Sequence, residues 1–442
     1  MKVAVWSPLP PAPSDAATHT AALLPALARY HEVVAVVEDP AATSHAAAPG
    51  IPVVAAASVP SADMDLYQIA AAPEHVFVYR AALARPGVVV LHEWVLHDLV
   101  WRDAVDRGDV SLYRREMRRA HGAEGGFVGR QVARGLGGTV LPARFALNDR
   151  LIERSLGVAA LARETGALLE RRHPRVPWTH LPRPVALPES PLPSRAEARA
   201  VLGLPRDALI VTGSEPGSRG MPFDALVRAV GRLRGEFPSL RFVLVGNIDP
   251  GQAREVRAAR AILGDAFVIS DRVSSPDMVL HLLAADVVSV LRFPCRGEIP
   301  ALLVQAVGVG RPALVTAGTA AAAEMPEGSV VPIDPGPGSG DLVLRLRQLL
   351  GNQRLRDAIG TSALAHGHAH LGLQGTAARL ATFLEDAATR RSESRSRIPA
   401  DRFEDGSLGG YLADEIRQAG RDVGLADFPL ELEALLAPLA RG

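Results

Sequence analysis

The stretch Arg292 to Pro312, RFPCRGEIPALLVQAVGVGRP, decides how the chain is read. Ahead of it, Ala285-Asp286-Val287-Val288-Ser289-Val290-Leu291 is an apolar run that reads as a buried strand. Behind it, Ala301 to Val309 is apolar apart from Gln305 and is closed by Gly310 and Pro312, the way a buried helix ends. Strand, polar loop and helix start together make an anion-binding corner, because the first N–H groups of a helix have no partner within it. Glu298, in the loop, would repel an anion held there. It is therefore either a solvated loop acid or an acceptor of hydrogen bonds from a neutral, hydroxyl-rich group attached to that anion, such as a sugar.

Outward from this corner, a βα series begins at Ala208-Leu209-Ile210-Val211-Thr212 and continues through a glycine loop, Gly213 to Gly220, into a helix from Asp224 to Phe237. Further strands are expected at Arg241 to Val245, Ala266 to Ile269 and Ala313 to Thr316. Arg219 in the glycine loop is placed to neutralise phosphate, the alternative being a surface arginine. A second series precedes this one: a strand at Val3 to Trp6, a proline-rich loop from Ser7 to Ser14, a helix from Thr18 to Tyr30 and a strand from His31 to Val37. Then follow Leu66 to Ile69, a helix from Val76 to Ala84 and a central strand from Gly87 to Leu91. Arg144 to Leu156 and Ala159 to His173 read as further helices.

Two βα series imply two parallel sheets, each with ligands at the carboxyl ends of its strands. His92, just past a central strand, is in that territory, unless it is a strand-end histidine satisfied by backbone. His97, deeper in the next turn, reads as structural. Arg183 to Arg195, RPVALPESPLPSR, carries four prolines without apolar periodicity and reads as the linker. The expected division is a first domain over 1–187, a linker over 188–195, a second domain over 196–375, a returning helix over 376–391 and a helical tail over 392–442. A cleft between the two domains is the expected binding site.

Composition bounds the function. With 442 residues, 48% hydrophobic and 22% charged, the chain can build more than one globular core. Its formal net charge is zero, so no long-range field draws it to nucleic acid. Lys2 is the only lysine, which with abundant Ala and Gly reads as a coding bias. The single cysteine, Cys295, excludes an intramolecular disulfide and reads as a small loop residue. The start, MKVAVWSP, reads as a strand rather than a signal peptide, and no stretch approaches the ~20 apolar residues of a membrane span. The expected compartment is the cytoplasm, with peripheral contact to the inner face of a membrane, or to a protein partner, left open. Asp63-Met64-Asp65 is discounted as a metal motif because it reads as a polar loop, and His366, His368 and His370 because no fourth ligand is in sight.

With these pieces in order, the chain resembles the family 4 glycosyltransferases of the GT-B fold, which are retaining and use nucleotide sugars. The stretches that carry the resemblance are Pro8 to Val37, Arg85 to Val100 (RPGVVVLHEWVLHDLV), Gly217 to Gly246 and Leu291 to Thr316. It extends over nearly the whole chain up to about residue 390. The resemblance implies an α/β protein of two Rossmann-like domains with parallel sheets facing across a cleft. The C-terminal domain would hold a nucleotide diphosphate and the N-terminal one an acceptor, be it a glycan, a lipid-linked or a small molecule. No metal and no cofactor besides the nucleotide-sugar donor are expected.

Residue by residue, Arg219 matches the family's diphosphate-binding lysine or arginine, and His92 the histidine that meets the donor sugar. Ser214 stands where the family usually has a second phosphate-binding arginine, and Asp15 where it has a glycine. Of the family's paired glutamates, Gly297 stands in the place of the first, with Glu298 displaced by one, and Gln305 in the place of the ribose-binding second. A subset with a G-E-T-S-type loop shares this displacement. The implied site is thus His92 and Glu298 as catalytic residues, with Gly213, Ser214, Arg219, Gly297, Ile299, Pro300, Ala301 and Gln305 on the donor side and Ser14 and Asp15 on the acceptor-side loop. The departures leave two readings, an active hexosyltransferase and a weak or inactive homologue that serves as a binding or partner subunit.

Overall fold

The computed structural model describes residues 1–138, 140–185, 191–214, 221–246, 250–271, 275–336 and 340–398. They form two all-parallel sheets. In the first, β1 (Lys2–Trp6), β2 (Glu32–Val37), β3 (Val53–Ala55), β4 (Met64–Ile69), β5 (Val88–Leu91), β6 (Gly157–Ala160) and β7 (Trp178–His180) lie in the order β3-β2-β1-β4-β5-β6-β7. In the second, β8 (Leu209–Ser214), β9 (Leu240–Gly246), β10 (Phe267–Asp271), β11 (Val287–Val290), β12 (Ala313–Thr316) and β13 (Val331–Ile333) lie in the order β10-β9-β8-β11-β12-β13. The two Rossmann-like halves expected from the sequence are therefore present.

Apolar runs fix this architecture. β1, β5, β11 and β12 are buried along nearly their whole length, which requires helices on both sheet faces and so a parallel, doubly wound arrangement. Each sheet is laid down outward from its middle: β1, β2 and β3 run one way before β4 starts the other, and β8, β9 and β10 do the same before β11. The strand order thus reverses between β1 and β4 in one sheet and between β8 and β11 in the other. Ligands of such sheets bind outside the strand ends at that reversal.

The Leu373–Thr389 helix ties the halves together by packing on the Asp15–Leu27 helix. Phe383 of that helix lies so close to Gly157 that a Cβ there would stand 2.8 Å from its ring. Leu380, Phe383 and Leu384 belong to a core cluster that also includes Val3 and Leu23 of the first half and Leu303 and Val307 of the second. Each such side chain contributes about 1.5–3 kcal/mol when fully buried. Among the described residues no helix is long and apolar enough to cross a membrane.

Several local expectations are corrected. Ala159 to His173 is not one helix, because Gly157–Ala160 is a strand fully buried between β5 and β7, and the helix is Arg163–Arg172. Burial on both faces overrides the helical preference of its alanines. Met64 and Asp65 are not loop residues but start β4, where the Asp65 carboxylate accepts from Trp6 Nε1 at 2.8 Å and from Arg85. The stretch read as a linker is structured at both ends. Arg183 is buried, Val185 bridges to Gly372, and Ser194 caps a helix that begins at Arg195. Its middle, residues 186–190, lies outside the described residues, as does the tail beyond residue 398.

Candidate functional site

The loop between β11 and the Ala301–Gly308 helix starts from a fixed point, since Arg292 N donates to Thr316 Oγ1 at 2.9 Å and the same hydroxyl donates to Arg292 O at 2.9 Å. Gly297 has φ +84°, a conformation open to glycine at little cost, and a Cβ there would stand 2.9 Å from Trp94 Cβ. The close approach exists because the loop is docked on the segment that follows β5. Arg296 O accepts from Trp94 N at 2.8 Å and from Val95 N at 3.1 Å, and Arg296 Nη2 pairs with Asp98 at 2.6 Å. The loop at one strand-order reversal thus closes against the strand ends of the other sheet. Glu298 folds back on its own loop, where its carboxylate accepts from Arg296 N at 2.7 Å.

The helix start carries an anion. Pro300 caps the helix without a side-chain hydrogen bond, and Ala301 N donates across the cleft to Asp15 Oδ2 at 3.3 Å. Arg183 lies beside this contact, 7% exposed. Its Nη1 donates to Ile299 O and its Nη2 to Asp15 O, both at 3.0 Å, and Nη2 stands 3.9 Å from Asp15 Oδ2. A helix N-terminus and a buried guanidinium therefore flank one carboxylate.

On the first-half side, Ser14 caps the Asp15–Leu27 helix by accepting from Ala16 N at 3.2 Å, and its hydroxyl stands 2.9 Å from His75 Nε2. His92 follows β5, is 4% exposed, and its Nε2 is 2.7 Å from Gln68 Oε1 at the end of β4. His19 stands edge-on to it. Burial, with Arg183 nearby, holds His19 down at about 3, and burial holds His75 down at about 4 despite its bond to Gln68 O. His92 is lowered by burial first and then by His19, Arg183 and His75. All three rings are therefore neutral near pH 7. Glu93 goes the other way: burial, with a smaller push from Glu298, raises its carboxyl to about 7 against the hydrogen bond from Ala71 N.

Of the residues expected from the sequence, Asp15 meets Ala301, with Arg183 joining Asp15 to Ile299, and Gly297, beside Glu298, packs on Trp94, two residues past His92; Ser14 precedes Asp15 and Pro300 precedes Ala301. Gly213 and Ser214 end β8, with Gly213 paired in register with Ser289 of β11, so they approach the same reversal from the second sheet. Arg219 lies outside the described residues. Gln305 sits half-buried in the fifth position of its helix, about one turn in. Burial, then Glu298, pushes the Cys295 thiol up to about 12, away from the thiolate that a nucleophile needs. His97 is structural, held by Phe145 O at 2.9 Å and Tyr113 at 3.0 Å. Among the described residues no group of three or more His, Cys, Asp or Glu could hold a metal. Arg183, His19, Gln68 and His75 were not singled out from the sequence. Only Gln68 carried a signal there, as a polar residue inside an apolar strand.

No protein family and no curated protein matches the chain. Solved structures do. A sucrose-phosphate synthase from Thermosynechococcus elongatus aligns at TM-score 0.60 and 18% identity, over 87% of this chain and 98% of its own. Anabaena HepE in complex with UDP-glucose aligns at 0.60 and 14%, over 87% and 100%. The chain has the GT-B fold. A candidate UDP-N-acetylglucosamine 2-epimerase from Listeria monocytogenes shares the fold too, at 0.50 and 15%, over 90% and 98%. One GT-B architecture thus serves different reactions, and the site must carry the choice among them.

Proposed function

We propose that this protein is a glycosyltransferase that moves a sugar from a nucleoside-diphosphate sugar to an acceptor hydroxyl with retention of configuration. The observation that carries the reading is the docking of the loop after β11 on the segment after β5, with His92 at the start of that segment and Glu298 and the Ala301–Gly308 helix start on the other side. The nucleotide complex of the structurally similar HepE supports a nucleotide-sugar donor.

In this reading the diphosphate lies at the helix start, near Ile299, Pro300 and Ala301, and is neutralised by Arg219 and Arg183. Gly213, Ser214 and Gly297 let the backbone approach it. Charge developing on the leaving diphosphate is stabilised by these fixed donors without a metal. Glu298 and His92 meet the sugar, and Gln305 accepts from a ribose hydroxyl. The acceptor enters past Ser14 and Asp15, and its hydroxyl attacks the face the diphosphate leaves, its proton passing to the departing phosphate oxygen as the sugar–phosphate bond breaks.

A second reading has an observation of its own. The Asp15 carboxylate stands 3.3 Å from Ala301 N, where a phosphate oxygen would have to be, which favours a homologue that binds donors weakly and acts as a partner subunit. Titration calorimetry with nucleoside diphosphates separates the two. Micromolar binding abolished by Arg219→Ala supports the transferase, and no binding to the native chain supports the partner.

A further inference from the structure

Four side chains from four segments of the first half meet at the carboxyl ends of β4 and β5. His19, Gln68, His75 and His92 are 5%, 0%, 0% and 4% exposed. Their hydrogen bonds fix their protonation. With the Gln68 amide turned so that Oε1 faces His92 and its own Nε2 has no hydrogen-bond partner, the bond of 2.7 Å to His92 Nε2 puts the proton on His92 Nε2, since Oε1 can only accept. His92 Nδ1 is then a bare lone pair, buried and without a hydrogen-bond partner. His19 Nδ1 stands 3.5 Å from the same His92 Nε2. His75 supports Gln68 from behind: its Nδ1 donates to Gln68 O at 2.8 Å, and its Nε2 accepts from the Ser14 hydroxyl at 2.9 Å.

Without Gln68, a neutral histidine could place its proton on either nitrogen. Only the tautomer with a bare Nδ1 can accept a hydrogen bond from a hydroxyl at that atom. A buried acceptor with nothing to accept from is costly in a folded protein and points to a group that is absent from the resting chain.

We propose that Gln68 is a positioning residue that locks His92 in the Nε2–H tautomer, so that His92 Nδ1 accepts a hydrogen bond from a hydroxyl of the transferred sugar. The inference rests on the proposed function. It assigns the sugar end of the donor to an uncharged acceptor and leaves the anionic end to the helix start. The groups that face His92 and could charge it are His19, His75 and the Arg183 guanidinium, and all oppose a positive imidazole.

The test compares the full chain with Gln68→Leu, which removes the acceptor, and Gln68→Glu, which keeps it. Nitrogen-15 NMR of histidine-labelled protein, with His92 assigned by His92→Asn, should show a bare Nδ1 in the native chain and in Gln68→Glu, and a tautomer mixture in Gln68→Leu. Calorimetry with UDP and UDP-glucose should then show UDP affinity unchanged within about twofold in Gln68→Leu, while the extra affinity conferred by the glucose falls about tenfold and Gln68→Glu restores it near pH 8. The carboxylate of Gln68→Glu favours the imidazolium, so its sugar contribution should fall as pH drops, unlike that of the native chain. A protonated Nδ1 in the native chain overturns the inference. A native chain that binds UDP-glucose, with Gln68→Leu indistinguishable from it, overturns the inference alone. A native chain that binds no nucleotide sugar sinks the proposed function and this inference with it.

Discussion

Asp15 Oδ2 accepts a hydrogen bond from Ala301 N at 3.3 Å, so a carboxylate from the first half sits on the helix start of the second. The side chain is 59% exposed, and Arg183 Nη2 is 3.9 Å away. An anion already in this place competes with any phosphate that seeks it. Charge at a helix start is worth about 0.3–1 kcal/mol, and up to about 2 kcal/mol when partly buried. Asp15→Asn should therefore tighten nucleoside diphosphate binding roughly 2- to 30-fold. Calorimetric titration of both forms with UDP checks it. Equal or weaker binding by the variant would mean that the phosphate does not use this helix.

Arg183 is the counterpart cation. Replacing it with Met keeps much of its volume but removes donors to Ile299 O and Asp15 O. The buried Ile299 carbonyl left unpaired costs about 1–3 kcal/mol, so Arg183→Met should lower the unfolding temperature by several degrees. It should also weaken UDP binding. A variant as stable as the native chain would show that the guanidinium does not hold the halves together.

Glu298 and Gln305 should separate in kinetics. Glu298→Gln is expected to lower kcat by more than tenfold with nucleotide affinity nearly unchanged, because the lost contact is to the sugar in the transition state. Gln305→Ala should weaken nucleotide binding more than turnover at saturation. Steady-state kinetics with a nucleotide sugar decides, and an untouched kcat in Glu298→Gln would remove this loop from the chemistry.

How far the sequence reaches is visible in particular elements. β5, β11 and β12 were legible because their apolar runs are bounded by glycine, proline or polar loops, and the Glu298 loop followed from the strand and helix around it. β3, β7 and β13 were not, as each is three residues long and too short for a period to register. β6 was hidden by alanines that favour a helix in isolation. The Asp15–Ala301 contact joins residues 286 positions apart, and Arg183 looked like a linker residue because its burial comes from loops on either side of the cleft. Only the assembled sheets bring these together.

Stability should depend on pH from both sides. His19 and His75 have folded values near 3 and 4, below the usual 6.5, so the unfolded chain binds more protons between these limits. Their contribution is full above about 6.5 and is lost as pH falls toward 4 and then 3. Glu93, raised from 4.5 to about 7, does the reverse: its contribution is full below 4.5 and is lost as pH rises through 7. Thermal unfolding of Glu93→Gln should therefore show a smaller loss between pH 5 and pH 8 than the native chain. Parallel curves over that range would show that the Glu93 carboxyl titrates normally.

The proposed transfer begins with cleavage of a nucleotide sugar where the two sheets meet. It is measured as release of free nucleoside diphosphate, with water standing in for the acceptor hydroxyl, when the chain is mixed with a panel of uridine, guanosine, adenosine and thymidine diphosphate sugars, with Glu298→Gln run alongside. The account predicts release from at least one donor, slowed more than tenfold in the variant. Release at the same rate from both proteins, or from no donor in the panel, would contradict it.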